Sequence, residues 1–252
     1  AALASSSAAV PLKTPRSSLK PVLSLRGGDT VTNVAAGLLG ATGVASYIFP
    51  KESLENYGAS DLDETALSAM RNQGPWQLAL AALTLVNTDK VHAAGNLLAS
   101  AAVFLTIPPL ETFGGPKAPL VAWVGLLAGL GMYSLKNEVS PWITTALFLV
   151  NGVQHFFAPK AVYELYKVKK MPSALGTFLV KPQGINMLIM GVYLGCLAQG
   201  LTQSEALAAA WFTTGAAVVK LTYTDMAAFN LPKAGPLVWA AISAVIVFLK
   251  LK

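Results

Sequence analysis

Long hydrophobic runs with little or no charge alternate with short polar segments along most of the chain. A helix of about 20 apolar residues crosses a hydrocarbon core about 30 Å thick, because each residue rises about 1.5 Å. The pattern predicts eight such spans, at residues 31–49, 76–86, 91–107, 118–135, 143–157, 175–197, 206–221 and 237–249. The predicted fold class is therefore all-α, a polytopic protein of eight transmembrane helices.

The second span is the least regular of the eight. Its strongly apolar part, 76–86, is too short to cross alone, and Pro75 predicts a kink because proline lacks the backbone donor. The span crosses only if the polar turns before it, which carry Arg71, lie at the interface or face other helices. We expect Asp61 or Asp63 to cap this helix.

The second half of the chain repeats the first. The segments at 49–57 and 157–166 share a Pro-Lys pair followed by Glu and Tyr, and further matches continue at spacings of about 108 to 116 residues, far beyond solenoid periods. These matches are Ala66-Leu67 with Ala174-Leu175, Gln73-Gly74 with Gln183-Gly184, Leu105-Thr106 with Leu221-Thr222, Phe113 with Phe229, Pro116-Lys117 with Pro232-Lys233, and Trp123 with Trp239. The repeat predicts two four-helix units, 31–136 and 140–252. Because each has an even number of spans, they insert in the same orientation, related by an axis along the membrane normal.

The repeated unit, a Gly-containing span followed by Pro-Lys, Glu and Tyr and then by further spans, resembles the small DoxX-like four-helix membrane proteins. The resemblance applies once to each copy and so to nearly all of residues 31–252. It implies a fold and almost nothing about activity. The tandem duplication departs from the single module usual in that group.

The composition indicates that lipid is the solvent. The 252 residues are 54% hydrophobic and 12% charged, with a mean hydropathy of +0.55, whereas soluble domains carry about 25% charged residues. Much of the net charge of +6 comes from the residues before Asp29, where basic residues occur without an acid. The charge balance therefore does not indicate nucleic-acid binding.

Residues 1–30 are rich in Ala, Ser and Pro, which is typical of an organelle transit peptide. The segment Ser-Leu-Arg-Gly-Gly at 24–28 resembles N-terminal regions of plastid proteins in algae with complex plastids. That resemblance implies a plastid membrane, with the thylakoid as the expected location. The alternative is a disordered basic tail on any membrane protein.

Two loops predicted on the same membrane face carry opposite charge. The loop at 51–71 is acidic and the loop at 160–181 is basic, so we expect them to attract each other. Lys220, near the end of the seventh span, is expected to reach the interface, and in an α-helix Asp225 is poorly placed to pair with it.

Polar residues within apolar runs are the candidates for chemistry. His92, His155 and Asn151 are candidate axial ligands for a chlorophyll magnesium, or cavity residues, because a polar group inside a membrane is costly and often functional. For each histidine the alternative is a structural, hydrogen-bonded role. Chlorophyll, carotenoid and lipid are the candidate bound molecules.

The sequence contains no phosphate-binding loop, nucleophile elbow, metal cluster or converging set of acid, base and nucleophile. The leading hypothesis is therefore a non-enzymatic accessory subunit of the plastid membrane, packing against a photosystem or antenna and surrounded by membrane lipid. The second is a small-solute carrier or channel with a path between the repeats, lined by Arg71, Asn151, His155 and Asn186. A lipid-modifying enzyme is the least favoured hypothesis.

Overall fold

The computed structural model describes residues 29–60, 62–229 and 231–252, and this part of the chain is helical, without a strand. Its α-helices are α1 Thr30–Ile48, α2 Pro50–Asn56, α3 Glu64–Leu85, α4 Val91–Glu111, α5 Lys117–Lys136, α6 Pro141–Phe157, α7 Pro159–Leu165, α8 Ala174–Phe178, α9 Val180–Ala198, α10 Gln203–Lys220 and α11 Ala234–Leu251. A π-helical turn, Leu221–Asp225, and a 3₁₀ turn, Met226–Phe229, join α10 to α11. The predicted all-α class is confirmed for the described residues. The predicted targeting segment, 1–30, lies outside them except for its last two residues.

Four helices, α1, α4, α5 and α11, are long and apolar enough to cross a membrane. Helix α6 has only 17 residues. Helix α3 buries polar Ser68 and Gln73 and packs among α1, α4 and α9. Ser68 and Gln73 thus meet the condition that the sequence sets for this span, whereas Arg71 is exposed.

Side chains at several helix N-termini accept hydrogen bonds from otherwise unpaired backbone N–H groups. Asp63 caps α3, with Ala66 N donating to its Oδ1 at 2.7 Å, which confirms one of the two predicted caps; Asp61 lies outside the described residues. Asp29 caps α1, Ser173 caps α8, and Thr202 forms a capping box at the start of α10.

The helices pack in equivalent pairs around a central contact. Helix α1 packs on α3 and α4 on α5, while α6 packs on α9 and α10 on α11. Helices α3 and α9 contact each other between these pairs. The largest fully buried side chains include Leu80 and Leu83 of α3 and Met190 and Leu194 of α9, so much of the core lies along these two helices.

A pair of glycines permits the close approach of α1 and α3, and another pair does the same for α6 and α9. A Cβ atom on Gly74 would lie 2.5 Å from the carbonyl oxygen of Gly43, and one on Gly184 would lie 2.8 Å from that of Gly152. Small residues let helices in lipid approach closely enough for such backbone contact.

The backbone adopts similar conformations at positions that the sequence repeat pairs. Phe49 has φ −121° and ψ 59°, and Ala158 has φ −131° and ψ 54°. The chain then leaves α2 through Gly58 at φ 80° and leaves α7 through Lys167 at φ 49°. The break before each short helix and the turn after it are thus built alike.

Two helix boundaries differ from those that the sequence predicts. Helix α4 continues through Pro108 and Pro109 to Glu111 instead of ending at the prolines. Burial gives the reason, because Leu110 and Phe113, just beyond the prolines, are packed into the core. The predicted span at 175–197 is divided at Leu179, between α8 and α9.

Lys220 pairs with Asp225 at 3.6 Å, so the expectation of poor placement was wrong. The π-helical turn that begins at Leu221 replaces the α-helical geometry on which the expectation was based. Asp225 also accepts a hydrogen bond from Lys181, so one carboxylate joins α9 to the end of α10.

The oppositely charged loops contact each other, as the sequence predicts. Lys170 Nζ lies 4.0 Å from Glu64 Oε2, and Ser173 Oγ donates to Asp63 Oδ1 at 3.2 Å. The Lys170–Glu64 pair is exposed and is therefore worth only about 0–1 kcal/mol. Its main effect is on the register of the two loops.

Candidate functional site

A cavity of about 330 Å³ lies between α1–α3 on one side and α8–α11 on the other. We call it the wide cavity. Most of its lining is apolar, with Leu39, Phe178, Ile189, Val218 and Met226 among the contributors. Its volume falls within the range of small-molecule sites, which is about 300–1,000 Å³.

A few polar groups interrupt this apolar lining. Ser46 Oγ donates to Gln77 Oε1 at 3.5 Å, and Gln73 Nε2 donates to the carbonyl of Leu179 at 3.2 Å. Asn186 differs from these residues. It lines the cavity and is 6% exposed, but its amide makes no hydrogen bond within the described part of the chain.

A second cavity, of about 90 Å³, lies between α3–α5 and the group of α6, α7 and α9. We call it the narrow cavity. The predicted site residues His155 and Asn151 line it together with Asn72, Trp76 and Tyr163. The structure therefore brings two of the three predicted site residues to one place.

The two cavities occupy positions that the sequence repeat relates. Three lining residues are the same in both cavities: Gln73, Tyr57 and Trp239 in the wide cavity and their repeat partners Gln183, Tyr166 and Trp123 in the narrow one. Among the lining positions that differ, four carry a larger side chain in the narrow cavity: Ser46, Thr42, Leu54 and Asn186 in the wide cavity correspond to His155, Asn151, Tyr163 and Trp76 in the narrow one. These larger side chains reduce the space in the narrow cavity.

His155 has one ring nitrogen without a hydrogen-bond partner among the described residues. Its Nδ1 lies 2.7 Å from the carbonyl oxygen of Asn151, and a carbonyl only accepts, so Nδ1 carries the proton and Nε2 keeps its lone pair. Asn151 itself donates to the carbonyl of Leu147 at 2.8 Å. His155 also lines an apolar groove of about 440 Å³ with Ile143 and Val150. A free imidazole nitrogen beside an apolar groove fits the axial ligand of a pigment.

The sequence did not predict a role for two polar atoms of the narrow cavity. Asn72 Oδ1 and Trp76 Nε1 are buried and have no hydrogen-bond partner among the described residues. One is an acceptor and the other a donor, so together they fit water or another small polar molecule. Their spacing of about one helical turn in α3 was the only signal in the sequence.

His92 and Arg71 lie away from both cavities. His92 Nε2 lies 3.0 Å from the carbonyl oxygen of Leu194 and so joins α4 to α9, which is the structural alternative for this residue. Arg71 is exposed and lines neither cavity. The structure thus separates these two residues from His155, Asn151 and Asn186.

The two tyrosines of the narrow cavity stay uncharged around neutral pH. Burial raises the pKa of Tyr163. Burial also raises the pKa of Tyr166, although a hydrogen bond with Trp123 partly offsets the effect. Both phenols therefore offer hydrogen bonds to the cavity and no negative charge.

The sequence matches no protein-family model, and comparisons with curated proteins and with solved structures find no match. The resemblance to DoxX-like proteins therefore stays a prediction.

The chemistry of the two cavities is accordingly argued from their own side chains. Amides, hydroxyls and aromatic rings make up most of their polar lining. Nowhere in the described ranges do three His, Cys, Asp or Glu side chains form a group suited to a metal ion. Linings of this kind hold and orient a molecule through hydrogen bonds and apolar contact.

Proposed function

We propose that the protein is an integral membrane protein with eight spans in two four-helix units. The first unit contains α1 and α3–α5, and the second contains α6 and α9–α11. The paired backbone conformations, glycine crossings and cavities support this assignment, because three independent kinds of feature recur at the spacing of the sequence repeat.

Single-cysteine labelling tests this topology. In a Cys196→Ala background, Lys51→Cys and Lys160→Cys should react with a membrane-impermeant maleimide from one side of the membrane, and Glu138→Cys from the other. All three positions are exposed. Labelling of residues 51 and 160 from opposite sides would exclude two units of equal orientation.

The role that we propose is that of a non-enzymatic accessory subunit of the plastid membrane, located in the thylakoid. The observation that carries it is the apolar outer surface of α5 and α11, where Val121, Leu126, Val245 and Phe248 are exposed. These helices hold the same place in the two proposed units. Their apolar faces suit lipid tails and the helices of a photosystem or antenna subunit.

Native gel electrophoresis of mildly solubilised thylakoid membranes is the experiment that tests this role. We expect the protein to migrate with photosystem or antenna subunits, in a band that absorbs as chlorophyll or carotenoid. If His155 Nε2 is an axial ligand, His155→Leu should weaken the chlorophyll bands, while His92→Leu leaves them unchanged. A colourless protein that migrates alone would contradict the proposed role.

A small-solute carrier is the second candidate, favoured by the position of the two cavities between the repeats. Duplicated transporter folds place their sites at such interfaces. Flux through liposomes should then fall on Asn151→Ala or Asn186→Ala, which change the cavity linings. Arg71→Ala is the control, since Arg71 lines neither cavity. Equal flux in protein-free liposomes would exclude transport of the solute tested.

A further inference from the structure

We propose that the wide cavity binds an uncharged molecule with a hydrocarbon body and a single hydroxyl or carbonyl group, and that the Asn186 amide bonds this polar group. The inference goes beyond the accessory role, because such binding takes place in the isolated protein whether or not it joins a larger complex.

The absence of charge in the ligand follows from the lining of the cavity. None of the described residues that line it is Asp, Glu, Lys, Arg or His. An ionised ligand would therefore lose its hydration without meeting an opposite charge, and burial of an unpaired charge is strongly unfavourable. A carboxylate or an ammonium group is excluded by the same argument.

The polar group of the ligand follows from Asn186. Its side chain is more than nine-tenths buried and lines the cavity without a hydrogen-bond partner in the described chain. An amide left in this state costs free energy unless something in the cavity bonds it. It offers two donors and an acceptor, so a carbonyl or a hydroxyl group satisfies it.

The hydrocarbon body follows from the remaining lining. Leu39, Ile189 and Val218 face the cavity from three different helices, α1, α9 and α10. A volume of about 330 Å³ is far larger than a few bridging waters need, since one water occupies about 30 Å³ of liquid. A ligand in the wide cavity is therefore held mainly by apolar contacts and not by bridging waters.

The narrow cavity serves as an internal control. Where the wide cavity has Asn186 and Leu54, the narrow one has Trp76 and Tyr163. These larger side chains leave only about 90 Å³. The duplication thus left one copy of the site open with an unpaired amide and the other largely filled by its own side chains.

The test uses the full chain in phosphatidylcholine nanodiscs and an ω-bromo-undecanol probe, because bromine quenches nearby tryptophan fluorescence and Trp239 lines the wide cavity. We expect saturable quenching that disappears in Trp239→Phe. The corresponding ω-bromo-undecanoate, ionised at about pH 8, should bind at least tenfold more weakly.

Asn186→Leu keeps the size of the side chain and removes the amide, and should weaken binding of the alcohol about tenfold, the equivalent of one net hydrogen bond. Gln183→Leu in the narrow cavity is the matched control and should leave the affinity unchanged. Any of three results would overturn the proposal: equal affinity for the alcohol and the carboxylate, an Asn186→Leu variant that binds the alcohol as tightly as the wild type, or quenching that never saturates. Failure of co-migration with a photosystem would leave it standing.

Discussion

The backbone of Gly43 lies so close to Gly74 that a Cβ atom on Gly74 would be 2.5 Å from the Gly43 carbonyl oxygen. Such a contact cannot be relieved by turning a flexible side chain, because the obstructing atom belongs to the backbone of α1. The separation between α1 and α3, and with it one wall of the wide cavity, therefore depends on this pair of glycines.

Gly74→Ala should destabilise the protein by about 1–3 kcal/mol, since α1 and α3 must move apart to admit the methyl group. Gly37→Ala in α1 is the control, because a Cβ there meets no atom within 4 Å. Thermal unfolding in detergent measures both variants. A Gly74→Ala protein as stable as Gly37→Ala would contradict the close crossing.

Asp29→Asn should destabilise the protein by about 1–3 kcal/mol, because it removes the anionic partner of a buried cation. The Lys250 side chain is 3% exposed and also donates to Thr32 Oγ1 at 2.6 Å. The double variant Asp29→Asn/Lys250→Met should recover part of the loss in thermal unfolding. Glu138→Gln lies at the repeat position of Asp29 and is also exposed, but it makes no ion pair within the described residues, whereas Asp29 pairs with Lys250; it should change little.

Acid should weaken the contact between α9 and the end of α10. Burial alone would raise the pKa of Asp225, but the hydrogen bond from Lys181 and the nearby lysine charges outweigh it, so the pKa lies below its ordinary value of 3.8. A carboxyl with a lowered folded-state pKa stabilises the fold above its unfolded pKa, and this stabilisation is lost as the pH falls through the folded value.

The unfolding temperature should therefore show this contribution from neutral pH down to about pH 4 and lose it below. In Asp225→Asn that acid-dependent loss should shrink, and stability at neutral pH should be lower. Glu52→Gln, an exposed control in α2, should follow the wild-type curve. If Asp225→Asn were as stable as the wild type at neutral pH, the pairing of Asp225 with Lys181 and Lys220 would not stabilise the fold.

Lys167→Gly should stabilise the protein by up to about 1 kcal/mol, because a residue with a Cβ is strained in the left-handed region. Lys167 has φ 49°. Gly58→Ala, at the repeat position, should destabilise the fold more than Gly200→Ala does. Both glycines have positive φ, but only at Gly58 would a Cβ meet a neighbour, 2.5 Å from Pro232. Chemical or thermal unfolding of the three variants checks the order.

The sequence was informative where structure depends on neighbouring residues. The apolar runs predicted the long helices, and Asp63 was one of the two predicted caps. The contact between the 51–71 and 160–181 loops, which are far apart in sequence, was predicted from their opposite charges and from the internal repeat. The continuation of α4 through Pro108 could not be predicted, because local rules end a helix there. The burial of Leu110 and Phe113 against other helices outweighs those rules.

The sequence alone determined the hydrophobic periodicity, the helix caps and the internal repeat. The first two depend on residues that are close in sequence, and the repeat is found by comparing the chain with itself. The unpaired amide of Asn186, the π-helical turn that joins Lys220 to Asp225 and the difference between the two cavities were decided only by tertiary structure. Each depends on which side chains from separate helices meet, and on how much space they leave, and packing at that precision is set by the whole fold.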